Sequence, residues 1–168
     1  MSIISTSDFI NSLTIPTPDE VNLQGFIDEY ESKGLKEILG YSLNKDFQAG
    51  LSESSVPQKW IDLRDGVEFV YNSETKYFVG AKEMILRYVY FFVLRNIQSY
   101  VTDSGVKVAQ TENSTFGNSA NKQAPAWNYM SNENILLNEF ITATNTDTAD
   151  TYENYTFNDM GKINVLGI

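Results

Sequence analysis

The sequence predicts a mainly α-helical protein: a small helical bundle around one long central helix, with a short β-hairpin and an extended C-terminal arm. The central helix is indicated by apolar residues that recur at i, i+3, i+4 and i+7 from Ala81 to Val93. Two β-prone runs just before it, VEFVY and KYFV, indicate the hairpin. A polar run after residue 144, with no helical period, indicates the arm. The 168 residues suit one domain, which we place at residues 1–144, followed by the arm at residues 145–168.

The first helix is predicted from Pro18 to Leu39. Thr17 is placed to cap its first turn, which tolerates the proline, and Glu20 completes a capping box. Gly40 is placed to end the helix as a left-handed residue.

Two shorter helices are expected next. The first runs from Ser42 to Ala49, and Gly50 is predicted to stop it. The second is formed by QKWIDLRDG, in which Trp60, Ile61 and Leu63 are expected to be buried on one side.

The hairpin is predicted within residues 67–79. Its strands are the run that begins at Val67 and the run that begins at Lys76, with NSET between them. Gly80 leaves almost no linker, so the hairpin should lie beside the start of the long helix.

The long helix is predicted from Ala81 to Ser99. It is apolar on most of its circumference near residues 88–94, so it is either central to the core or shared with a neighbouring subunit. Tyr90 and Phe91 point away from the main apolar face, and we name both as candidate interface residues.

The C-terminal part of the chain is predicted to contain a brief strand, GVKVAQ, and a last helix from Ala126 to Ala143. The chain closes on the apolar tail GKINVLGI, although chain ends are usually polar. This suggests that the tail docks on its own subunit or on another one. The candidate docking residues are Ile163, Val165, Leu166 and Ile168.

The composition excludes several kinds of site. The chain has no Cys and no His, which removes disulfides, thiolate zinc sites, cysteine nucleophiles and imidazole bases or ligands. The motifs GxGxxG, GxxxxGKS/T, HExxH and GxSxG are also missing. Acidic pairs such as Asp62 with Asp65 are expected to be solvated surface. We therefore name no catalytic, cofactor-binding or metal-binding residue, and we expect a protein that is not an enzyme.

The charge balance restricts the partners. The chain has 22 acidic and 12 basic residues, a formal net charge of −10. Binding to a nucleic-acid backbone requires clustered Lys and Arg, so this chain can face DNA without holding it. The start MSIISTSDFINSL lacks the pattern of a signal peptide. The unbroken apolar run of seven residues is far below the about 20 that span a bilayer, so we expect no membrane partner.

The order of several motifs is recognisable. In sequence they are LKEILGYSL, WIDLRDG, VEFVYNSETKYFVG, RYVYFFVLRN, a TENST stretch and a Gly-Ile terminus. This order resembles the head-tail connector proteins of tailed bacteriophages, and it is most similar to those of phages of Bacteroides-like hosts, including crAss-like phages. The resemblance covers nearly the whole chain from Thr17 to Ile168.

The resemblance implies a structural virion protein, made in the host cytoplasm, that forms an adaptor ring in the head-tail neck. The ring is expected to be twelvefold, to lie beneath the portal protein, to contact other neck or tail proteins and to extend the DNA channel. DNA would pass through it without specific binding. The family has no catalytic residue, so none is transferred.

Three alternatives remain open. A small acidic inhibitor that mimics DNA would account for the net charge of −10. A carboxylate enzyme such as a glycosidase would need an acidic pair in a cleft, for which the sequence has no motif. A neighbouring stopper or tail-completion subunit of the same neck would have similar sequence features.

Overall fold

The computed structural model describes residues 2–15, 21–102, 105–108, 120–147 and 151–164. Within these ranges the protein is mainly helical, which confirms the predicted fold class. The elements are α1 (Leu23–Leu51), α2 (Gln58–Asp65), β1 (Val67–Tyr71), β2 (Glu74–Phe78), α3 (Ala81–Gln98), β3 (Ser99–Thr102), β4 (Gly105–Val108) and α4 (Ala120–Asp147). Two short 3-10 turns, Thr6–Asp8 and Asn11–Leu13, precede them. No helix in these ranges is both long and apolar enough to cross a bilayer.

Helix α1 begins at Leu23, later than the predicted start at Pro18. The side chain of Asn22 caps it by accepting a hydrogen bond from the backbone N–H of Gly25 at 3.0 Å. Asn is a preferred N-cap because its side-chain oxygen satisfies a helix donor that otherwise lacks a partner. The predicted capping residue Thr17 lies outside the described residues.

Two glycines shape α1 in different ways. Gly40 has φ 74° and ψ 165°, so the helix breaks where its end was predicted. The second segment continues through Gly50, the predicted stop, to Leu51. A Cβ atom on Gly50 would lie 1.9 Å from Nε1 of Trp60. Gly50 therefore permits a close contact between α1 and the indole of α2.

The predicted hairpin is confirmed and has a two-residue turn. Tyr71 pairs with Glu74, which leaves Asn72 and Ser73 at φ 52° and 66°. Positive φ at both positions is the geometry of a type I′ turn, whose twist matches that of the strands.

The inner face of the hairpin packs on α4 through aromatic rings. The ring of Phe140 lies 5.6 Å from that of Phe69 and 5.3 Å from that of Phe78, measured between centroids. At the same face, Nζ of Lys76 lies 2.7 Å from Oε2 of Glu139.

Helix α3 is the centre of the molecule, as predicted, and α1 and α4 both pack against it. Tyr30 of α1 stacks on Phe92 with centroids 4.2 Å apart, and Trp127 of α4 lies 5.0 Å from Phe91. Of the two readings of this apolar helix, the structure supports a core helix within one subunit. Its buried residues are Ala81, Met84, Ile85, Leu86, Tyr88, Val89, Tyr90, Phe91, Val93 and Leu94.

Two features of the C-terminal half differ from the prediction. The brief strand is β4, and it pairs antiparallel with β3, a strand that the sequence did not indicate. Helix α4 runs from Ala120, before Pro125, to Asp147, whereas the prediction placed it from Ala126 to Ala143 and began the arm at residue 145. Proline lacks an N–H donor and disfavours the preceding helical turn, which is why the earlier start was not predicted.

Replacing Gly50 with Ala should destabilise the fold. In an open helix this change is favourable by about 1 kcal/mol, but here the new methyl group would overlap the buried indole of Trp60. Overpacking of this kind costs about 1–3 kcal/mol, to be measured by urea denaturation. The control is Gly161→Ala, where no atom lies within 4 Å of the added Cβ. A Gly50→Ala variant as stable as the native chain would contradict the packing argument.

Candidate functional site

The C-terminal arm returns along α4, and its first anchor is Tyr152. The backbone N–H of Tyr152 donates to Oδ1 of Asn145 at 2.6 Å, and its hydroxyl donates to the carbonyl of Lys59 at 2.7 Å. Its ring lies 5.8 Å from that of Trp60, and the side chain is buried. The arm is therefore tied to α2 and to the end of α4 within the same subunit.

Further along the arm, asparagines of α4 bind its backbone. Asn134 donates to the carbonyl of Asn158 at 2.6 Å. Asn128 both donates to the carbonyl of Ile163 and accepts from its N–H, each at 2.8 Å. Met160, between these two anchors, belongs to the hydrophobic core. The arm is held in place as far as Ile163 by contacts with its own subunit.

These contacts locate one of the four predicted tail residues. Ile163 is half-buried and bound to α4 of its own chain. Val165, Leu166 and Ile168 lie outside the described residues.

Tyr90 and Phe91, the other candidate interface residues, are buried in the subunit itself. Their exposed fractions are 1% and 6%, and Phe91 packs against Trp127. Burial also raises the pKa of the Tyr90 hydroxyl. Neither side chain offers surface to a partner of this subunit, so neither is used in the interface proposed below.

A buried carboxylate lies between α3 and α4. Glu133 is 8% exposed and accepts a hydrogen bond from the backbone N–H of Val79. Burial raises its pKa, although the nearby Arg87 opposes this effect. Arg87 forms an ion pair with Glu83, with Nη2 2.8 Å from Oε1, and its guanidinium carbon lies 3.9 Å from the centroid of the Tyr129 ring. This cluster ties α3 to α4.

A second polar site lies beside α1. The buried carboxylate of Glu31 accepts a hydrogen bond from the backbone N–H of Ile3 at 2.6 Å, which fixes the start of the chain. A cavity of about 470 Å³ adjoins it and is also lined by Asp28 and Asn44. In the described ranges no group of three or more His, Cys, Asp or Glu side chains could hold a metal ion.

A groove runs along β1, and we call it the β1 groove. It has a volume of about 330 Å³ and is lined by Gln58, Lys59 and Asp62 of α2, Val67, Glu68, Phe69 and Val70 of β1, and Phe140, Ala143 and Thr144 of α4. On the outer face of the hairpin, Val70 is 57% exposed and Tyr77 is 54% exposed. An apolar groove beside a strand edge is suited to binding an extended segment.

These contacts have little signal in the sequence. In the sequence, the asparagines that bind the arm look like ordinary polar residues on the solvent face of a helix. They are Asn128, Asn134 and Asn145, and only the folded arm shows what they bind. The exposure of Val70 could have been inferred from the alternation in VEFVY, which places the side chains of Val70 and Phe69 on opposite faces of the strand. Comparisons of this chain with protein families, with curated proteins and with solved structures found no match.

Replacing Asn128 with Ala should release the end of the arm. Two hydrogen bonds to Ile163 would be lost, which predicts a fall of about 1–2 kcal/mol in the free energy of unfolding. Amide exchange at residues 161–164, followed by mass spectrometry, should become faster. The control is Asn132→Ala, an exposed position on the same helix. Equal exchange in both variants would show that Asn128 does not hold the arm.

Replacing Glu133 with Gln should stabilise the protein at neutral pH. Folding raises the pKa of this carboxyl group. The group therefore makes the folded protein less stable as the pH rises from 4.5, the ordinary pKa, through the raised pKa. Gln stays neutral and can still accept from Val79. Urea denaturation across a pH series should show a gain above this range that disappears below pH 4.5. The control is Glu53→Gln, at an exposed position. A Gln variant that is less stable at every pH would show that Arg87 requires the charge.

Proposed function

We propose that this protein is a structural virion subunit that forms an adaptor ring between portal and tail and extends the DNA channel. The observation that carries the proposal is an apolar strand edge, the β1 groove with Val70, on a subunit whose net charge is −10. Such a subunit has a directional contact surface and a field that repels DNA. The sequence resemblance to head-tail connectors supports the same assignment.

The ion pairs of the subunit favour a conduit over a DNA-binding surface. Five basic side chains in the described ranges are each paired with a carboxylate within 2.8 Å. These are Lys33, Arg64, Lys76, Lys82 and Arg87. Their charge is therefore compensated locally, and phosphates would meet a surface dominated by the remaining acidic groups. DNA can slide along such a wall without being retained.

The same five pairs, together with two buried carboxylates, leave seven of the 22 acidic groups out of any surface that could mimic DNA. A DNA-mimic inhibitor needs unpaired carboxylates arrayed like phosphates on one surface. Here the carboxylates of Asp8, Glu29, Asp65, Glu83 and Glu139 are paired, and those of Glu31 and Glu133 are buried.

Co-expression with the portal protein of the same genome should give a ring on the portal. We expect electron microscopy of the purified complex to show a ring of this protein around a central channel, with the symmetry of the portal. At low protein concentration and without portal, the protein should remain small, because its negative charge keeps free subunits apart.

The contrary result is equally clear. Failure to associate with the portal, together with absence from purified virions by mass spectrometry, would reject the connector proposal. If this chain displaced DNA from a DNA-binding protein, that result would instead favour the DNA-mimic alternative.

A further inference from the structure

Among the residues that the structure describes, strand β1 pairs only with β2, so its other edge carries hydrogen-bonding groups that no described strand uses. A two-residue hairpin turn makes Tyr71 and Glu74 a hydrogen-bonded pair, and such pairs alternate along an antiparallel ladder. Val67 and Phe69 are therefore bonded to β2, whereas the N–H and C=O groups of Glu68 and Val70 point away from it. These outward groups lie along the β1 groove and match the backbone of an added strand.

The groove suits a short apolar strand. Its apolar lining comes from Phe69 of β1 and from Phe140 and Ala143 of α4, while Lys59 and Asp62 flank it from α2. A strand added to β1 would direct every second side chain toward this lining and the others outward beside Val70.

The end of this chain has the composition of such a strand, but it cannot fill the groove of its own subunit. Ile163 is fixed at Asn128, and Ala143 in the groove is 15 residues further along α4, about 22 Å away. The five residues from 164 to 168 span at most about 18 Å when fully extended. Phe140, the nearest α4 residue of the groove, is itself about 18 Å away, so at best the last residue would reach it.

We propose that residues 165–168 of one copy add as a third strand to β1 of a second copy. Leu166 and Ile168 alternate to the same side of such a strand and would enter the groove, while Val165 would lie outward beside Val70. The arm fixes the tail of each copy at Asn128, so successive copies can be linked in one direction. This inference deepens the proposed function and rests on it for the presence of neighbouring copies.

The test uses the full-length chain and the labelled peptide GKINVLGI. In a Leu166→Asp variant the chain's own tail is disabled as a competitor while β1 stays intact. We expect this variant to bind the peptide saturably, as measured by fluorescence anisotropy. A peptide with Asp in place of Leu166 should not bind.

Two proline substitutions in the Leu166→Asp background distinguish the edge from the hairpin as a whole. Val70→Pro removes an outward N–H and leaves the β1–β2 ladder intact. It should weaken peptide binding by about tenfold or more. Thr75→Pro makes the same change on the opposite edge, at the residue paired with Val70, and should leave binding unchanged. Circular dichroism checks that both variants remain folded.

A second measurement uses complementary defects. Neither Leu166→Asp nor Val70→Pro should self-associate at high concentration. Their mixture should form a one-to-one pair, because the Leu166→Asp variant supplies an intact β1 edge and the Val70→Pro variant supplies an intact tail. Sedimentation equilibrium measures this.

Absence of saturable peptide binding, equal loss in both proline variants, or failure of the mixture to pair would each overturn the inference. If Val70→Pro subunits still form rings on the portal, the inference is wrong and the connector proposal is unaffected. If the protein binds the peptide but is absent from virions, the connector proposal is rejected and the tail-to-β1 contact stands.

Discussion

The fold depends on the burial of α3 (Ala81–Gln98). Residues 84–86, 88–91, 93 and 94 are buried, so the helix needs a covering element on each side. Tyr30 of α1 stacks on Phe92, and Trp127 of α4 packs on Phe91. Burial of large side chains is worth about 1.5–3 kcal/mol each, which makes this three-helix arrangement the main source of stability. The hairpin and the arm are both attached to it.

Polar contacts then decide where the remaining segments lie. The arm buries few side chains apart from Tyr152 and Met160, and its course is set by asparagines of α4 that bind its backbone. An extended segment leaves its N–H and C=O groups without regular partners, so side-chain amides that supply both a donor and an acceptor fix its path. Glu31 fixes the start of the chain in a similar way. Both ends of the described chain are thus anchored to the helical core.

The surface that remains combines repulsion with a directional contact. A net charge of −10 keeps identical subunits apart in solution, and its effect is weakened by salt. Backbone hydrogen bonds at a strand edge act only at short range and in one register, so they can select a correctly placed neighbour. Under the proposed function, this division would allow free subunits to stay soluble and yet join in one orientation once a template brings them together.

The sequence by itself determined the elements whose signals are local. Periodicity identified α3, alternation identified the hairpin, and Gly40 marked the break in α1, because each depends on neighbouring residues. The tertiary structure alone decided that Tyr90 and Phe91 are buried, since burial depends on what other helices cover. It also decided the role of Gly50, which depends on a distant indole, and the path of the arm, which depends on side chains far away in the sequence. Contacts between distant residues leave no period in the chain, so only the fold reveals them.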